Sequence, residues 1–305
     1  MSVFNTEPFL DEAVASIRGQ SFGDFEFIIV DDGSTDGTAA CLARHASRDP
    51  RIKILSQENR GLIASLNRAL AAASAPLIAR MDGDDVAMPE RFALQMKAFV
   101  QAPDVVAIGS TYREMDLQGR VGRQSRPPLS PVAIRSMLER TNCMAHPTCM
   151  MRRDVAVAAG AYRRAFVHCE DYDLWLRMSE AGDLINLPEP LLHYRTYPKR
   201  DPRFIEQQTL SELGARASVK RRRAGLPDPA NDADLISRDV LEALGVERAT
   251  VDFEVMRRAL QAARRAVAIG DRKLLDDLLE LARRQTLTGL RSNLYYWFMR
   301  LKVHV

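Results

Sequence analysis

The first 110 residues alternate between short apolar runs and amphipathic segments, and this alternation limits the possible folds more than any other feature of the sequence. The runs FEFIIVDD, IKIL, PLIAR and VVAIG have the length and composition of β-strands. The segments between them carry apolar residues at helical spacing, such as Leu62, Leu66 and Leu70. A strand–helix–strand rhythm of this kind predicts an α/β fold in which helices cover a mostly parallel sheet.

The pattern loosens after residue 110, and beyond Tyr197 the composition becomes helical and basic. We therefore expect an α/β domain over residues 1–197 and a helical C-terminal region over residues 198–305. The opening MSVFN has the composition of the end of a strand, so we expect the natural chain to begin upstream of Met1.

Composition and charge exclude several classes of protein. A net charge of +3 over 305 residues gives no sign of a nucleic-acid partner. Four cysteines form no disulfide framework, and no signal peptide is visible, which favours the cytoplasm. No apolar run approaches the ~20 residues that a membrane-spanning helix needs. The C-terminal segment GLRSNLYYWFMRLKVHV combines an apolar band with flanking cations. It predicts either packing on the α/β domain or on a second subunit, or peripheral contact with the inner face of the cell membrane.

The segment MDGDD follows the apolar run PLIAR and places three carboxylates within four residues. Carboxylates at the carboxyl end of a strand lie where open α/β sheets bind ligands. On extended backbone Asp82 and Asp84 would point the same way, as paired oxygen ligands for Mg²⁺ or Mn²⁺ would. An exposed acidic loop is the alternative. The D-x-D motif of haloacid-dehalogenase phosphatases does not fit, because it needs a threonine where Val86 stands.

Two further acidic motifs have both a structural and a functional interpretation. Asp31 and Asp32, in VDDGSTDG, could accept hydrogen bonds from a base or ribose, or could cap the next helix. A calcium loop is excluded there, because its twelfth position is Ala43 and not glutamate. Glu170 and Asp171 open an apolar helix, where they could act as capping acids; Asp171 could instead be a general base.

A cluster of cysteine and histidine residues does not lead us to predict zinc. Cys143, His146 and Cys149 lack the paired C-x₂-C arms of structural zinc sites.

In their order and spacing these segments resemble the inverting glycosyltransferases of family 2, which have a nucleotide-sugar-binding GT-A fold. The resemblance runs from MSVFN to LPEPLLHYR and rests on VDDGSTDGT, NRGLIASLNRAL, ARMDGDDVAMPERF and CEDYDLWLRM. It implies a nucleotide pocket, a divalent cation site and a catalytic pair. The residues implied for the nucleotide are Ser2, Phe4, Asn5, Asp31, Asp32, Arg60 and Asp82. Asp84 and Asp82 would hold Mn²⁺ or Mg²⁺, Asp171 would be the base, and Glu170 and His146 would shape the acceptor side.

The resemblance also implies a reaction. The enzyme would move a sugar, with inversion, from a nucleoside-diphosphate sugar (uridine first) to a hydroxyl of a saccharide or lipid-linked acceptor, in polysaccharide or glycolipid biosynthesis. A catalytically silent subunit that binds nucleotide-sugars or serves as a scaffold is the alternative. A sugar-nucleotide pyrophosphorylase is disfavoured, because the sequence lacks the G-x-G-x-R-type loop of that class.

Overall fold

The computed structural model describes residues 1–197 and 201–285. The chain forms two compact units. Among the described residues, the first comprises 1–163 and 174–196, and the second comprises 164–173, 197 and 201–285. That these units correspond to separate domains with a boundary near residue 198 stays a prediction. The C-terminal segment from residue 289 lies outside the described residues.

The first unit begins with a three-stranded parallel sheet in the order β1-β2-β3. Its strands and the helices that follow them are β1 (Ser2–Val3), α1 (Glu7–Arg18), β2 (Phe27–Asp31), α2 (Thr38–Ala46), β3 (Ile52–Ser56) and α3 (Leu62–Ala72). Every residue of β2 is buried, as expected for a parallel strand that is covered on both faces. The strand–helix alternation and the α/β fold predicted from the sequence are therefore confirmed.

A second sheet in the first unit has mixed strand directions. Its strands are β4 (Leu77–Ala79), β5 (Val86–Ala87), β6 (Val105–Met115), β7 (Val121–Gln124), β8 (Met150–Arg152) and β9 (Asp183–Arg195). Their order is β4-β8-β6-β9-β5, with β7 paired to β6. Only β6 and β9 run parallel, whereas β4 pairs antiparallel with β8. The apolar pattern of a buried strand does not encode its direction, which is why the sequence predicted a mostly parallel sheet.

The remaining helices of the first unit are α4 (Arg91–Gln101), α5 (Pro131–Leu138) and α6 (Arg153–Ala158). Leu10, Val14 and Ile17 of α1 are fully buried in its core, as their spacing predicts. Thr6 occupies the N-cap position of α1, but its hydroxyl makes no capping hydrogen bond.

An isolated parallel bridge joins Ser2 of β1 to Asp82, in the loop between β4 and β5, which brings the start of β1 beside the acidic segment, residues 81–85. An apolar cavity of about 620 Å³ is lined by residues of β2 and β4, among them Phe27, Ile28 and Leu77. The carboxylates of the acidic segment do not line it.

The second unit is helical over its described residues. It contains the first four residues of α7 (Glu170–Met178), then α8 (Pro202–Arg223), α9 (Arg238–Ala243), α10 (Arg248–Ala268) and α11 (Arg272–Arg283). Its core contains Leu213, Val255 and Leu278, and an ion pair between Arg258 and Glu212 links α10 to α8. Within residues 1–197 and 201–285, no helix is long and apolar enough to cross a bilayer.

Candidate active site

The turn between β1 and α1 is hydrogen-bonded to the glycine-containing turn after β2. The Asn5 amide N–H donates to the Ser34 hydroxyl at 3.0 Å, and the Asn5 side-chain oxygen accepts from the Thr35 amide at 2.8 Å. Asn5 adopts a φ of 50°, in the left-handed region that asparagine tolerates better than most residues. Phe4 is 47% exposed, and Ser2 is half-buried. The structure thus brings Ser2, Phe4 and Asn5 to the edge of the sheet where β2 also ends.

The two consecutive aspartates at the end of β2 have different partners. The Asp32 carboxylate accepts hydrogen bonds from the amides of Arg60 (2.9 Å) and Gly61 (2.8 Å) and from the Gln57 side chain (2.6 Å). The Asp31 carboxylate accepts from the Ser34 amide at 3.0 Å. Both side chains are buried. Asp32 therefore orders the segment that carries Arg60 into the N-terminus of α3, whereas Asp31 orders the turn that holds Asn5.

The acidic segment, residues 81–85, lies in the loop between β4 and β5 and contains a bend at Gly83 and Asp84. Carboxylate oxygens of Asp82, Asp84 and Asp85 lie within 4.8 Å of one another. Gly83 leaves little space beside β1, since a β-carbon there would lie 2.7 Å from Val3 Cγ1. The three carboxylates converge because the loop bends, and not through the extended backbone expected from the sequence.

Buried charge surrounds this segment. Asp82 forms an ion pair with the buried Arg80, the residue that follows β4. Burial alone would lower the pKa of Arg80, but Asp82 raises it above its ordinary value and the guanidinium stays charged. Burial, together with the charges of Asp82 and Asp84, raises the pKa of the Asp85 carboxyl well above its usual range. The Arg80 guanidinium therefore offsets part of the negative charge of this segment.

The donor set of this segment fits a hard divalent cation. Mn²⁺ and Mg²⁺ prefer oxygen ligands and bind through one or two carboxylates, with waters and phosphate oxygens in the remaining positions. Asp84 is half-buried and Asp82 is 29% exposed. Both residues are therefore partly accessible to solvent.

His146 is buried and neutral. Its Nε2 lies 2.9 Å from the Tyr162 hydroxyl, and its ring packs edge-on against Trp175. Burial, and then the nearby Arg80 charge, lower the pKa of His146 well below its ordinary value. The Tyr162 backbone is held in turn by the Asn67 side chain, which donates to its carbonyl at 2.7 Å and accepts from its amide at 3.0 Å. Tyr162 therefore links His146 to Asn67 of α3.

Glu170 and Asp171 form the first turn of α7, where the helix dipole favours negative charge. Glu170 is buried, whereas Asp171 is half-buried and its carboxylate accepts a hydrogen bond from the Tyr172 amide at 2.7 Å. Both acids belong to the second unit, whereas the acidic segment and the Asn5 turn belong to the first. The assignment of Asp171 as base and Glu170 as its neighbour stays a prediction.

Sequence reasoning missed three residues that the structure brings to this region: Arg80, Tyr162 and Arg195. Arg80 was visible as a charged residue at the end of an apolar run, which is a signal for a buried ion pair. Arg195 was visible only as the last residue of LLHYR, and its contacts are with residues more than 70 positions away.

Comparison with known proteins identifies the family of this chain. The model of glycosyl transferase family 2 matches residues 1–159, and the chain belongs to this family. It is therefore a glycosyltransferase. It is 34% identical over 203 residues to the O-antigen biosynthesis glycosyltransferase WbnJ of Escherichia coli, an alignment that covers 65% of this chain and 79% of that protein. It is 32% identical over 199 residues to the amylovoran biosynthesis glycosyltransferase AmsE of Erwinia amylovora, covering 64% of this chain and 74% of that protein.

Solved structures share the fold at low sequence identity. The mannosyltransferase PcManGT from Pyrobaculum calidifontis, in complex with GDP-Man and Mn²⁺, aligns with a TM-score of 0.58 at 18% identity, covering 98% of this chain and 82% of that chain. Residues 1–349 of S. aureus TarS, in complex with UDP-GlcNAc, align with a TM-score of 0.56 at 15% identity, covering 92% and 89%. These likenesses confirm the predicted GT-A-type fold.

Proposed function

We propose that this glycosyltransferase is metal-dependent and inverting, and that it moves a sugar from a nucleoside-diphosphate sugar to a hydroxyl acceptor in polysaccharide or glycolipid biosynthesis. The convergence of Asp82, Asp84 and Asp85 beside the β1–α1 turn carries the proposal. The names of the relatives, which concern O-antigen and amylovoran biosynthesis, support the biosynthetic role. The ligands named for the solved structures, GDP-Man with Mn²⁺ and UDP-GlcNAc, support the donor class.

The nucleotide residues have distinct tasks in this proposal. Ser2, Phe4 and Asn5 line one side of the base and ribose pocket, and Asp31 accepts a hydrogen bond from the nucleoside. Asp32 has already committed its carboxylate to three donors, so it holds the Arg60 segment in place for the nucleotide. Uridine is the first base to test.

Asp84 and Asp82 would hold Mn²⁺ or Mg²⁺, which would supply positive charge to the leaving diphosphate. Arg80 restrains the Asp82 carboxylate through their ion pair. Asp171 accepts the proton of the acceptor hydroxyl while the bond from its oxygen to the anomeric carbon forms. The bond from that carbon to the diphosphate oxygen breaks in the same displacement, and the configuration inverts. Glu170 and His146 shape the acceptor side.

The acceptor is a saccharide or a lipid-linked hydroxyl. Action at the cytoplasmic side of the membrane, with peripheral contact through the C-terminal segment, stays a prediction from sequence, because that segment lies outside the described residues.

A donor panel with a metal-site variant tests the proposal. Uridine, guanosine and thymidine diphosphate sugars are incubated with the protein, with and without Mn²⁺, and release of nucleoside diphosphate is measured. We expect turnover that requires the metal and is lost in Asp84→Ala. Asp104→Ala is the matched control, since Asp104 is an exposed aspartate of the same unit, outside the acidic segment. Metal-dependent binding without turnover would favour the silent subunit, and full activity of Asp84→Ala would refute the metal site.

A further inference from the structure

Arg195, the last residue of β9, is a buried arginine whose side chain contacts three separate segments. Its guanidinium donates to the Asp84 carbonyl at 2.7 Å, to the Asp116 carbonyl at 3.0 Å and to the Glu12 carboxylate at 3.0 Å. The guanidinium also lies over the Phe9 ring, 4.2 Å from its centroid. The side chain is only 2% exposed. Every one of these contacts lies within the first unit.

The backbone of Arg195 holds the next residue of the acidic segment. Its amide donates to the Asp85 carboxylate at 2.7 Å. The side chain and the main chain of one residue therefore fix two consecutive members of the segment, Asp84 through its carbonyl and Asp85 through its carboxylate. Arg195 lies 111 positions beyond Asp84 in the sequence, so the fold alone creates this contact.

The Arg195 side chain contacts the peptide group of Asp84 and not its carboxylate. A fixed carbonyl fixes the orientation of the Asp84 peptide, and with it the direction of the bond from Cα to Cβ. Mg²⁺-type ions demand near-ideal octahedral geometry, so the direction of a ligating carboxylate matters for affinity. Residues that orient a metal ligand without touching the metal are a general feature of such sites.

We propose that Arg195 is a positioning residue that orients Asp84 for the divalent cation; this inference rests on the metal-dependent function proposed above. Lysine cannot replace it, because an ammonium group lacks the planar fork that reaches three acceptors in different directions. Loss of the fork frees the Asp84 peptide while the three carboxylates stay in the chain.

Arg152 provides a matched control. Its guanidinium also donates to two backbone carbonyls, those of Val105 (2.9 Å) and Pro103 (3.0 Å), and lies over the Phe99 ring. It belongs to the same unit but has no contact with the acidic segment among these bonds. Arg152→Lys therefore measures the purely structural effect of replacing a buried guanidinium of this kind by an ammonium group.

The experiment compares Arg195→Lys, Arg152→Lys and the wild-type chain. Free Mn²⁺ is followed by electron paramagnetic resonance during titration of each protein in the presence of UDP and, separately, GDP. Melting temperatures and the Mn²⁺ dependence of turnover are measured in parallel. We expect Mn²⁺ affinity to fall about tenfold in Arg195→Lys, the scale usual for losing a residue that orients a metal ligand. Excess Mn²⁺ should restore most of kcat, and Arg152→Lys should keep wild-type Mn²⁺ affinity.

The possible outcomes distinguish a positioning role of Arg195 from a purely structural one. Wild-type Mn²⁺ affinity in a folded Arg195→Lys overturns it and leaves the metal site intact, and an equal loss of affinity in both variants makes the effect merely structural. A wild-type chain that binds no Mn²⁺ with either nucleotide overturns the proposed function as well. If Arg195→Lys does not fold, Glu12→Ala removes only the exposed carboxylate partner of the guanidinium. That variant should weaken Mn²⁺ binding about threefold, the scale of an exposed ion pair, and unchanged affinity overturns the proposal.

Discussion

Replacing Asp32 with alanine should destabilise the first unit by about 3–4 kcal/mol, because it removes one acceptor from three donors. The Arg60 and Gly61 amides and the Gln57 side chain all donate to this carboxylate. A buried donor left without a partner costs about 1–3 kcal/mol. Arg60 is exposed and Gly61 is half-buried, so water recovers part of this loss and the low end applies to each donor. The negative charge at the N-terminus of α3 contributes about 0.3–1 kcal/mol more.

The free energy of unfolding should be measured by urea titration. The chain contains two tryptophans, so a Trp297→Phe background leaves the buried Trp175 of the first unit as the fluorescent reporter. Asp31→Ala is the paired variant: its carboxylate accepts from one amide, that of Ser34, and its loss should cost about 1 kcal/mol.

The effects of the two variants on nucleotide binding should follow the opposite order to their effects on stability. Asp31→Ala should lose more affinity for UDP than its small loss of stability explains, if Asp31 contacts the nucleoside. The reasoning is refuted if Asp32→Ala unfolds at the same urea concentration as the wild-type chain, with the same slope. It is also refuted if the Asp31 variant proves the less stable of the two.

Two further substitutions test the proposed base and the loss of stability at acid pH. Asp171→Asn should bind donor normally but lower kcat about 10²-fold or more; near-normal transfer would move the base elsewhere, first to Glu170. The pKa of Glu26 is lowered to about 2 by hydrogen bonds from Lys53 and Ser74, so this carboxylate stabilises the fold above its unfolded pKa near 4.5, and the contribution is lost as the pH falls from about 5 to 2. Between pH 6 and pH 3 the free energy of unfolding, measured in urea, should therefore fall by about 1–2 kcal/mol more in the wild-type chain than in Glu26→Gln. This figure is reduced for the exposure of the lysine. Equal decreases in the two proteins would contradict the assignment.

Several elements of the first unit, and their order along the chain, could be predicted from the sequence. The apolar runs predicted β2, β3, β4 and β6, and the helical spacing predicted α1 and α3, because the burial of one face requires a period that can be read locally. The order of the acidic motifs was enough to indicate family 2. It also located the acidic segment directly after β4, since strand ends follow from where an apolar run stops.

The directions of the strands and the partners of the buried charges could not be predicted from the sequence and are known only from the tertiary structure. The run PLIAR could not show that β4 pairs antiparallel with β8, because side chains alternate in the same way in either direction. The consecutive Asp31 and Asp32 looked equivalent until the fold gave Asp32 the amides of Arg60 and Gly61. Arg195 carried no local signal at all, since its contacts with Asp84 and Asp85 join positions more than 100 residues apart. Hydrogen-bond partners of buried polar groups are set by which segments the packed core brings together, and a one-dimensional pattern does not contain that information.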